Sequence, residues 1–220
     1  QRVDCLLPAA VNLHSHMFQR AMAGMTEKRG AGQDSFWTWR TLMYKFLDRL
    51  SPEDVQAIAA MVMLEMAEAG YAGVAEFHYL RHAPGGTTYG DLAEMTARIA
   101  AAAAETGLGL THLPVLYERG GCDGRALTTG QLRFGNDPER FTRLWQAAQG
   151  ALACLPADTV LGVAPHSLRA ASPEGLRLAE AISPRAPIHI HVAEQVAEVA
   201  EVQAATGLRP VQWLLENHGL

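Results

Sequence analysis

Short apolar segments alternate with longer stretches of helical periodicity along the whole chain, and this alternation constrains the fold more than any other feature of the sequence. Five apolar segments are predicted to be strands, at residues 11–16, 73–79, 110–117, 160–165 and 188–192. Helices are predicted at 51–69, 89–105, 138–152 and 173–182, and from residues 194 and 210 onward. Repeated strand–helix units imply parallel strands covered by helices, so the sequence predicts an α/β fold.

Two parallel architectures fit this pattern, the closed (β/α)8 TIM-type barrel and the open doubly wound sheet. The open sheet usually carries a glycine-rich phosphate-binding turn after its first strand. Here the first strand ends in Leu13-His-Ser-His16, and ligand-type residues also end the later strands, at His78, Tyr117, His166 and His191. In a barrel these strand ends meet at one mouth. We therefore predict a partial (β/α)8 barrel of about the first five βα units, forming one domain over residues 1–220.

Composition narrows the classes of partner. The net charge of −5, from 18 basic and 23 acidic residues, argues against nucleic acid. No apolar run approaches the roughly 20 residues of a membrane span, so no membrane association is expected. The three cysteines, Cys5, Cys122 and Cys154, have neither disulfide nor metal-knuckle spacing. They fit a reducing compartment, and we expect a cytoplasmic location.

Two histidines at the end of the first predicted strand are candidate metal ligands. His14 and His16 are two residues apart, so on a strand both imidazoles project to the same side. Neutral imidazoles bind divalent metals at about 2.0–2.1 Å. The alternative is a pair of polar residues on an exposed strand end. The position of His191 at the end of the fifth predicted strand favours a shared site for the three rings.

A second pair, His189 and His191, leads into Glu194. His189 lies on the same side as His191 but one step deeper, and we interpret it as a packed or supporting residue rather than a ligand. Glu194 fits the first turn of a helix, where the helix dipole favours an acid. Its spacing of three residues from His191 favours a role in proton transfer.

The motifs together carry a resemblance to a known family. The block 12–24, beginning Asn-Leu-His-Ser-His, resembles the amidohydrolase superfamily and, within it, the formimidoylglutamate deiminases. Further blocks that resemble this branch are Phe36-Trp-Thr-Trp-Arg40, Ala75-Glu-Phe-His-Tyr79, Ala164-Pro-His-Ser-Leu-Arg-Ala170 and His189-Ile-His-Val-Ala-Glu-Gln195. The two histidine motifs alone are typical of the whole superfamily. The other blocks favour the narrower branch.

The resemblance implies hydrolysis of N-formimino-L-glutamate to N-formyl-L-glutamate and ammonia, a step in histidine degradation. It implies one zinc ion held by His14, His16 and His191, although iron or another divalent metal suits the same ligands. Glu194 is the implied catalytic acid. The resemblance also implies an Asp from an eighth strand and a His from a sixth strand, and we expect both, with a small N-terminal β-domain, in a longer protein.

The implied substrate is a small dicarboxylate, which requires cationic and hydrogen-bonding groups beside the metal. Arg169 can bind a carboxylate through two parallel hydrogen bonds, and Arg40, in a tryptophan-rich loop, is a candidate for a second contact. The other candidate substrate-binding residues are Gln19, Tyr79 and His166. We also expect a homodimer.

Two other functions remain open on the sequence alone. One is a related deaminase that acts on a purine- or pyrimidine-type ring, since such enzymes share the histidine motifs. The other is a non-catalytic metal-binding fragment. Arg169 together with Tyr79 favours an acyclic dianion over a neutral ring.

Overall fold

Parallel strands in sequential order form the sheet on which the site is built. The structure, a computed structural model, describes residues 3–25 and 36–218, with side chains from residue 39 onward in the second segment. Within this part the strands are β1 (Ala10–Ser15), β2 (Tyr71–His78), β3 (Gly109–Leu116), β4 (Val160–Leu161) and β5 (Ala164–Pro165). Their order is β1-β2-β3-β4, with β5 also paired to β3, and every pairing is parallel.

The predicted α/β class with parallel strands is confirmed. A sequential order is that of a barrel, whereas the order of a doubly wound sheet reverses at a switch point. The helices of the described residues are α1 (Phe36–Leu47), α2 (Pro52–Glu68), α3 (Glu94–Thr106), α4 (Pro138–Leu152), α5 (Pro173–Ile182), α6 (Val196–Thr206) and α7 (Pro210–Asn217). None of these helices is long and apolar enough to cross a membrane.

The helices begin and end where local chemistry dictates. Ser51 caps α2 by accepting the backbone N–H of Asp54, whose carboxylate accepts the Ser51 N–H in return. Pro52 occupies the first helical turn, where its missing N–H costs nothing. Gly107 ends α3 at φ 74°, in the left-handed region that glycine adopts without steric penalty.

Two strand predictions are wrong in detail. The segment 160–165 is two short strands, because Gly162 interrupts it: its carbonyl accepts the indole N–H of Trp145 rather than a strand partner. The segment 188–192 is not a regular strand. Its backbone pairs through isolated bridges, from Ile188 to Val163 and from His191 to Ser167. Among the described residues this segment has sheet partners on one side alone, and a strand needs a continuous ladder to be assigned.

Three helix predictions also require correction. Arg40 lies in α1, not in a loop, and α1 buries Met43 and Leu47 at helical spacing. The helix predicted from residue 89 begins at Glu94, because Asp91 forms a turn by accepting the N–H of Ala93. Helix α6 begins two residues after Glu194, so that acid precedes the helix.

The core lies between the sheet and the helices that cover it. Its main cluster combines buried residues of β2 and β3 with those of α1, α2 and α3, including Phe77, Leu113, Met63 and Ile99. This packing fixes the ends of β1, β2 and β3 relative to one another. The carboxyl ends of these strands carry the side chains described next.

Candidate metal and substrate site

Three imidazoles from two distant parts of the chain meet at one point. His14 and His16 project to the same side at the end of β1, and His191 reaches them from the segment beyond β5. The Nε2 atom of His14 lies 3.2 Å from that of His16 and 3.3 Å from that of His191. One ring nitrogen of each residue lies within 4.8 Å of the others. The sequence predicts that these three rings lie together, and the structure shows them together.

Burial keeps these rings neutral, and a backbone carbonyl orients the ring of His16. The backbone carbonyl of Phe77 lies 2.9 Å from Nδ1 of His16, so Nδ1 carries the proton and Nε2 offers its lone pair. Burial lowers the pKa of His16 to about 4 against the opposing effect of this bond. Burial and the neighbouring histidines lower the pKa of His191 to about 3. Neutral imidazole is the form that binds a metal.

The donor set fits a divalent cation. A tetrahedral ion with metal–nitrogen bonds of about 2.0–2.1 Å spaces its ligand atoms roughly 3.3–3.4 Å apart. The two Nε2 distances of His14 match this spacing. Three neutral acceptors packed so closely repel one another unless a cation or a shared proton lies between them. The residues present therefore fit a metal ion with three protein nitrogens from this part of the chain.

A cavity of about 270 Å³ opens beside the imidazoles. Eight of the nine candidate residues from the sequence line it: His16, Gln19, Arg40, Tyr79, His166, Arg169, His191 and Glu194. The ninth, His14, lines a neighbouring open cavity together with Phe77 and His189. The structure therefore brings the metal, substrate and acid candidates to one place, as the barrel argument predicts.

Arg169 is the buried cation of this cavity, with 9% of its surface exposed. Burial opposes its charge, but a hydrogen bond with Tyr117 and the nearby carboxylates of Glu198 and Glu201 outweigh burial and raise its pKa. Arg169 therefore stays charged at any physiological pH. A buried, permanently charged guanidinium beside a cavity is suited to bind an anion.

A further part of the cavity wall comes from α1 and from the turn after β1. Arg40 on α1 donates to the hydroxyl of Tyr44 and lies 3.4 Å from that of Tyr117. The side-chain amide of Gln19 donates to the hydroxyl of Tyr79 at 2.6 Å. Burial raises the pKa of Tyr79, so its hydroxyl remains protonated and can donate. The cavity thus offers two arginines and several neutral donors.

The acid candidate Glu194 reaches the cavity through an unusual backbone turn. Ala193 has φ 58°, a left-handed conformation that residues with a side chain seldom adopt. This turn lies between His191 and Glu194 in the chain. The backbone N–H of Glu194 donates to the side chain of Glu198 at 3.0 Å. His189 lies outside the three-ring cluster, and its role as a packed or supporting residue stays a prediction.

Several residues of the site were missed by sequence reasoning. Tyr44, Met43 and Phe134 line the cavity, yet nothing in their local sequence marks them as more than core residues. Glu198 is buried and holds the backbone of Glu194. Its signal was available, since an acid three residues after the capping residue Gln195 can reach back to the N–H groups at the start of the helix.

Comparison with known proteins agrees with this geometry. The amidohydrolase family profile matches residues 5–217. A curated formimidoylglutamate deiminase from Pseudomonas aeruginosa is 48% identical over 96% of this chain and 47% of its own length. A 5-methylthioadenosine/S-adenosylhomocysteine deaminase from Pelotomaculum thermopropionicum is 26% identical over 94% of the chain and 41% of its own length. The chain thus spans about half the length of the curated relatives it matches.

Solved structures give the same result. An amidohydrolase from Brucella melitensis superposes with a TM-score of 0.92 at 51% identity, covering 96% of this chain and 47% of that one. An adenosine deaminase from Xanthomonas campestris with bound zinc shares the fold, with a TM-score of 0.67 at 17% identity over 96% of this chain and 42% of that one. The profile match over nearly the whole chain, together with these relatives, shows that this chain belongs to the amidohydrolase family.

Proposed function

We propose that the full-length protein hydrolyses N-formimino-L-glutamate to N-formyl-L-glutamate and ammonia. The observation that carries this proposal is one cavity lined by two of the three clustered imidazoles, by the buried cation Arg169 and by Arg40, whose guanidinium lies near the same Tyr117 hydroxyl as Arg169. An acyclic substrate with two carboxylates and one formimino group requires cationic side chains for the carboxylates and a metal site beside the formimino group. The relative from Pseudomonas aeruginosa, a formimidoylglutamate deiminase, supports the same substrate.

We propose zinc as the metal, held by His14, His16 and His191 and completed by groups from the part of the relatives' length that this chain does not span. The adenosine deaminase from Xanthomonas campestris, which shares the fold, has zinc bound in its crystal structure. When bound, a divalent ion lowers the pKa of water towards neutrality and so supplies the nucleophile. The chain's own residues then bind and orient the substrate and protonate its leaving nitrogen.

The roles of the remaining residues follow from their positions. Arg169 binds one substrate carboxylate, and Arg40, which lines the same cavity, binds the other. Gln19, Tyr79 and His166 donate or accept hydrogen bonds to the substrate. Glu194 donates a proton to the nitrogen as the C–N bond breaks and ammonia leaves. We place this reaction in histidine degradation in the cytoplasm, where the exposed thiols of Cys5 and Cys154 stay reduced.

A ring deaminase is the second candidate, because aromatic side chains line the cavity, among them Trp39, Tyr117 and Phe134. The relative from Pelotomaculum thermopropionicum supports it at lower identity. A neutral ring, however, offers no anion to Arg169. The charge-assisted hydrogen bonds that Arg169 can form with a substrate carboxylate would then contribute nothing to the binding of the ring.

The test is the release of ammonia by the full-length protein from N-formimino-L-glutamate and, in parallel, from 5′-methylthioadenosine. We expect kcat/KM to be at least about 100-fold higher for the dianion, since two charge-assisted contacts distinguish the substrates. Removal of metal by a chelator should abolish turnover, and added zinc should restore it. Faster turnover of the nucleoside would replace the proposal with the second candidate. Stoichiometric zinc binding without turnover of either compound would leave a metal-binding protein.

A further inference from the structure

A row of polar side chains lies on the face of the sheet that points away from the cavity. Side chains alternate between faces along a strand, and Phe77 on β2 packs against the imidazole cluster, so Glu76 points the other way. Ser15 on β1 and His112 on β3 are the register partners of Glu76. All three are buried, Glu76 and His112 completely. A barrel normally fills this layer with apolar residues, because a buried carboxylate is costly to desolvate.

Glu76 contacts the residues on both sides of His16. Both carboxyl oxygens lie 3.1 Å from the backbone nitrogen of Met17, which donates to them. The hydroxyl of Ser15 also hydrogen-bonds to this carboxyl group. The residues before and after His16 are therefore attached to the same buried side chain, while the His16 ring points into the cluster on the opposite face.

This contact has a local structural reason. Residues Met17–Met22 form a 3-10 helix whose first N–H groups need acceptors, and His16 occupies the capping position without a capping side-chain bond. A Ser or Asp at the capping position would normally accept the N–H. Because His16 turns its ring towards the cluster, the acceptor comes from the neighbouring strand instead. Glu76 acts as a cap supplied from 59 residues away.

Other buried polar residues lie around Glu76, and some of their hydrogen-bonding atoms have no partner among the described residues. His78 Nδ1 lies 3.3 Å from Glu76. Arg81 donates to Thr96 at 3.0 Å, and Thr96 lies 3.0 Å from His112. His78 Nε2 and His112 Nδ1 have no hydrogen-bond partner among the described residues, although they are buried. Unpaired buried atoms cost stability, so stability alone explains this polar layer poorly. The contacts of Glu76 with Ser15 and Met17 offer another explanation.

We propose that Glu76 is a positioning residue of the metal site, which sets metal affinity by fixing the backbone of His16 before the metal arrives. The inference rests on the proposed function in that it takes the three-histidine cluster as the metal site. Groups that orient a metal ligand are typically worth about 10- to 100-fold in metal affinity. Glu76 acts on the ligand's backbone, while the Phe77 carbonyl acts on its ring.

The experiment measures zinc affinity of the metal-free full-length protein by competition with a chromophoric chelator. Glu76→Leu removes both acceptor oxygens, and we expect zinc to bind about 10- to 100-fold more weakly. The visible spectrum of the cobalt-substituted protein should also change, because the ligand geometry relaxes. Thr96→Val is the matched control: it removes two buried hydrogen bonds of the same network but none to residues 15–17. Its zinc affinity and cobalt spectrum should match those of the parent.

Glu76→Gln covers the case in which the leucine variant does not fold. It keeps the shape and one acceptor oxygen, so we expect a loss of about threefold to tenfold, the effect of one weakened hydrogen bond. Parental affinity in Glu76→Leu, or in Glu76→Gln if the leucine variant does not fold, would overturn the inference. So would an equal loss in Thr96→Val. Failure of the parent itself to bind zinc would instead refute the metal site of the proposed function, which separates the two failures.

Discussion

Removal of the Arg169 guanidinium tests how this cavity would select a dianion. Arg169 is nine-tenths buried and stays charged, since Tyr117, Glu198 and Glu201 surround it. A carboxylate that it binds would form one or two charge-assisted hydrogen bonds, worth about 1.5–3 kcal/mol each. Because about 1.4 kcal/mol corresponds to a factor of ten in rate, Arg169→Ala should lower kcat/KM for N-formimino-L-glutamate by at least tenfold.

The assay is ammonia release by the full-length protein at limiting substrate, with zinc content measured on the same samples. Zinc content should not change, because Arg169 is not a metal ligand. Arg169→Lys should restore little activity, since an ammonium cannot reproduce the planar two-pronged contact. Arg177→Ala is a suitable control, because Arg177 is an exposed arginine of α5 paired with Glu174 and lies outside the lining of the cavity.

One result would refute the reasoning. If Arg169→Ala turns over the dianion at the parental rate while binding zinc normally, Arg169 does not bind a substrate carboxylate. The buried cation would then be structural, paired with Tyr117 and Glu198. The ring-deaminase candidate would gain support, and the variant's activity on 5′-methylthioadenosine would be the next measurement.

Three further predictions concern the metal, the acid and pH. His191→Ala should abolish stoichiometric zinc binding in a metal analysis, whereas His189→Ala should not, and equal zinc contents would contradict the proposed ligand set. Glu194→Gln should lower kcat by at least about 100-fold with zinc content unchanged, and parental kcat would exclude Glu194 as the acid. Burial raises the pKa of Glu76 to about 8, above its value of about 4.3 in an unfolded chain, so the folded protein retains a proton that the unfolded chain loses. The contribution of this retained proton to the free energy of unfolding is complete below about pH 4.3. It is lost as the pH rises to 8, by up to about 1.4 kcal/mol per pH unit. His78, Arg81 and His112 face this group, so denaturant unfolding at pH 5.5 and 7.5 should be compared with Glu76→Gln, in which this share of the pH dependence should vanish; an unchanged dependence would contradict the assignment.

The metal cluster was predictable because it depends on strand periodicity and on the meeting of parallel strand ends. The spacing of His14 and His16 fixes their common side, and the convergence of parallel strand ends brings His191 to them. The same reasoning placed Arg169 and His166 at the cavity, since both follow a strand. Local rules suffice when the geometry repeats from one strand to the next.

What the sequence did not reveal depends on contacts between distant residues. The tryptophan-rich surroundings of Arg40 suggest a loop, although Trp39, Met43 and Leu47 recur every four residues in the manner of a buried helix face. The role of Glu76 needs the 59-residue separation from Met17 to be closed in space. Its only local signal is a charged residue inside an apolar strand. The irregular segment 188–192 still places His191 in the imidazole cluster, because two isolated bridges suffice to hold the segment.

Helix α1, which carries Arg40, is held in the wall of the cavity by contacts at its carboxyl end. The imidazoles rest on β1 and on the segment beyond β5, whereas Arg40 is carried by α1. The buried guanidinium of Arg133 donates to the carbonyls of Leu47 and Leu50, where α1 ends, and to the carbonyl of His82 at 2.7 Å. A cation at the carboxyl end of a helix also interacts favourably with the helix dipole. The carboxyl end of α1 is therefore attached to the loops after β2 and β3, and these contacts help to position Arg40 in the wall of the cavity.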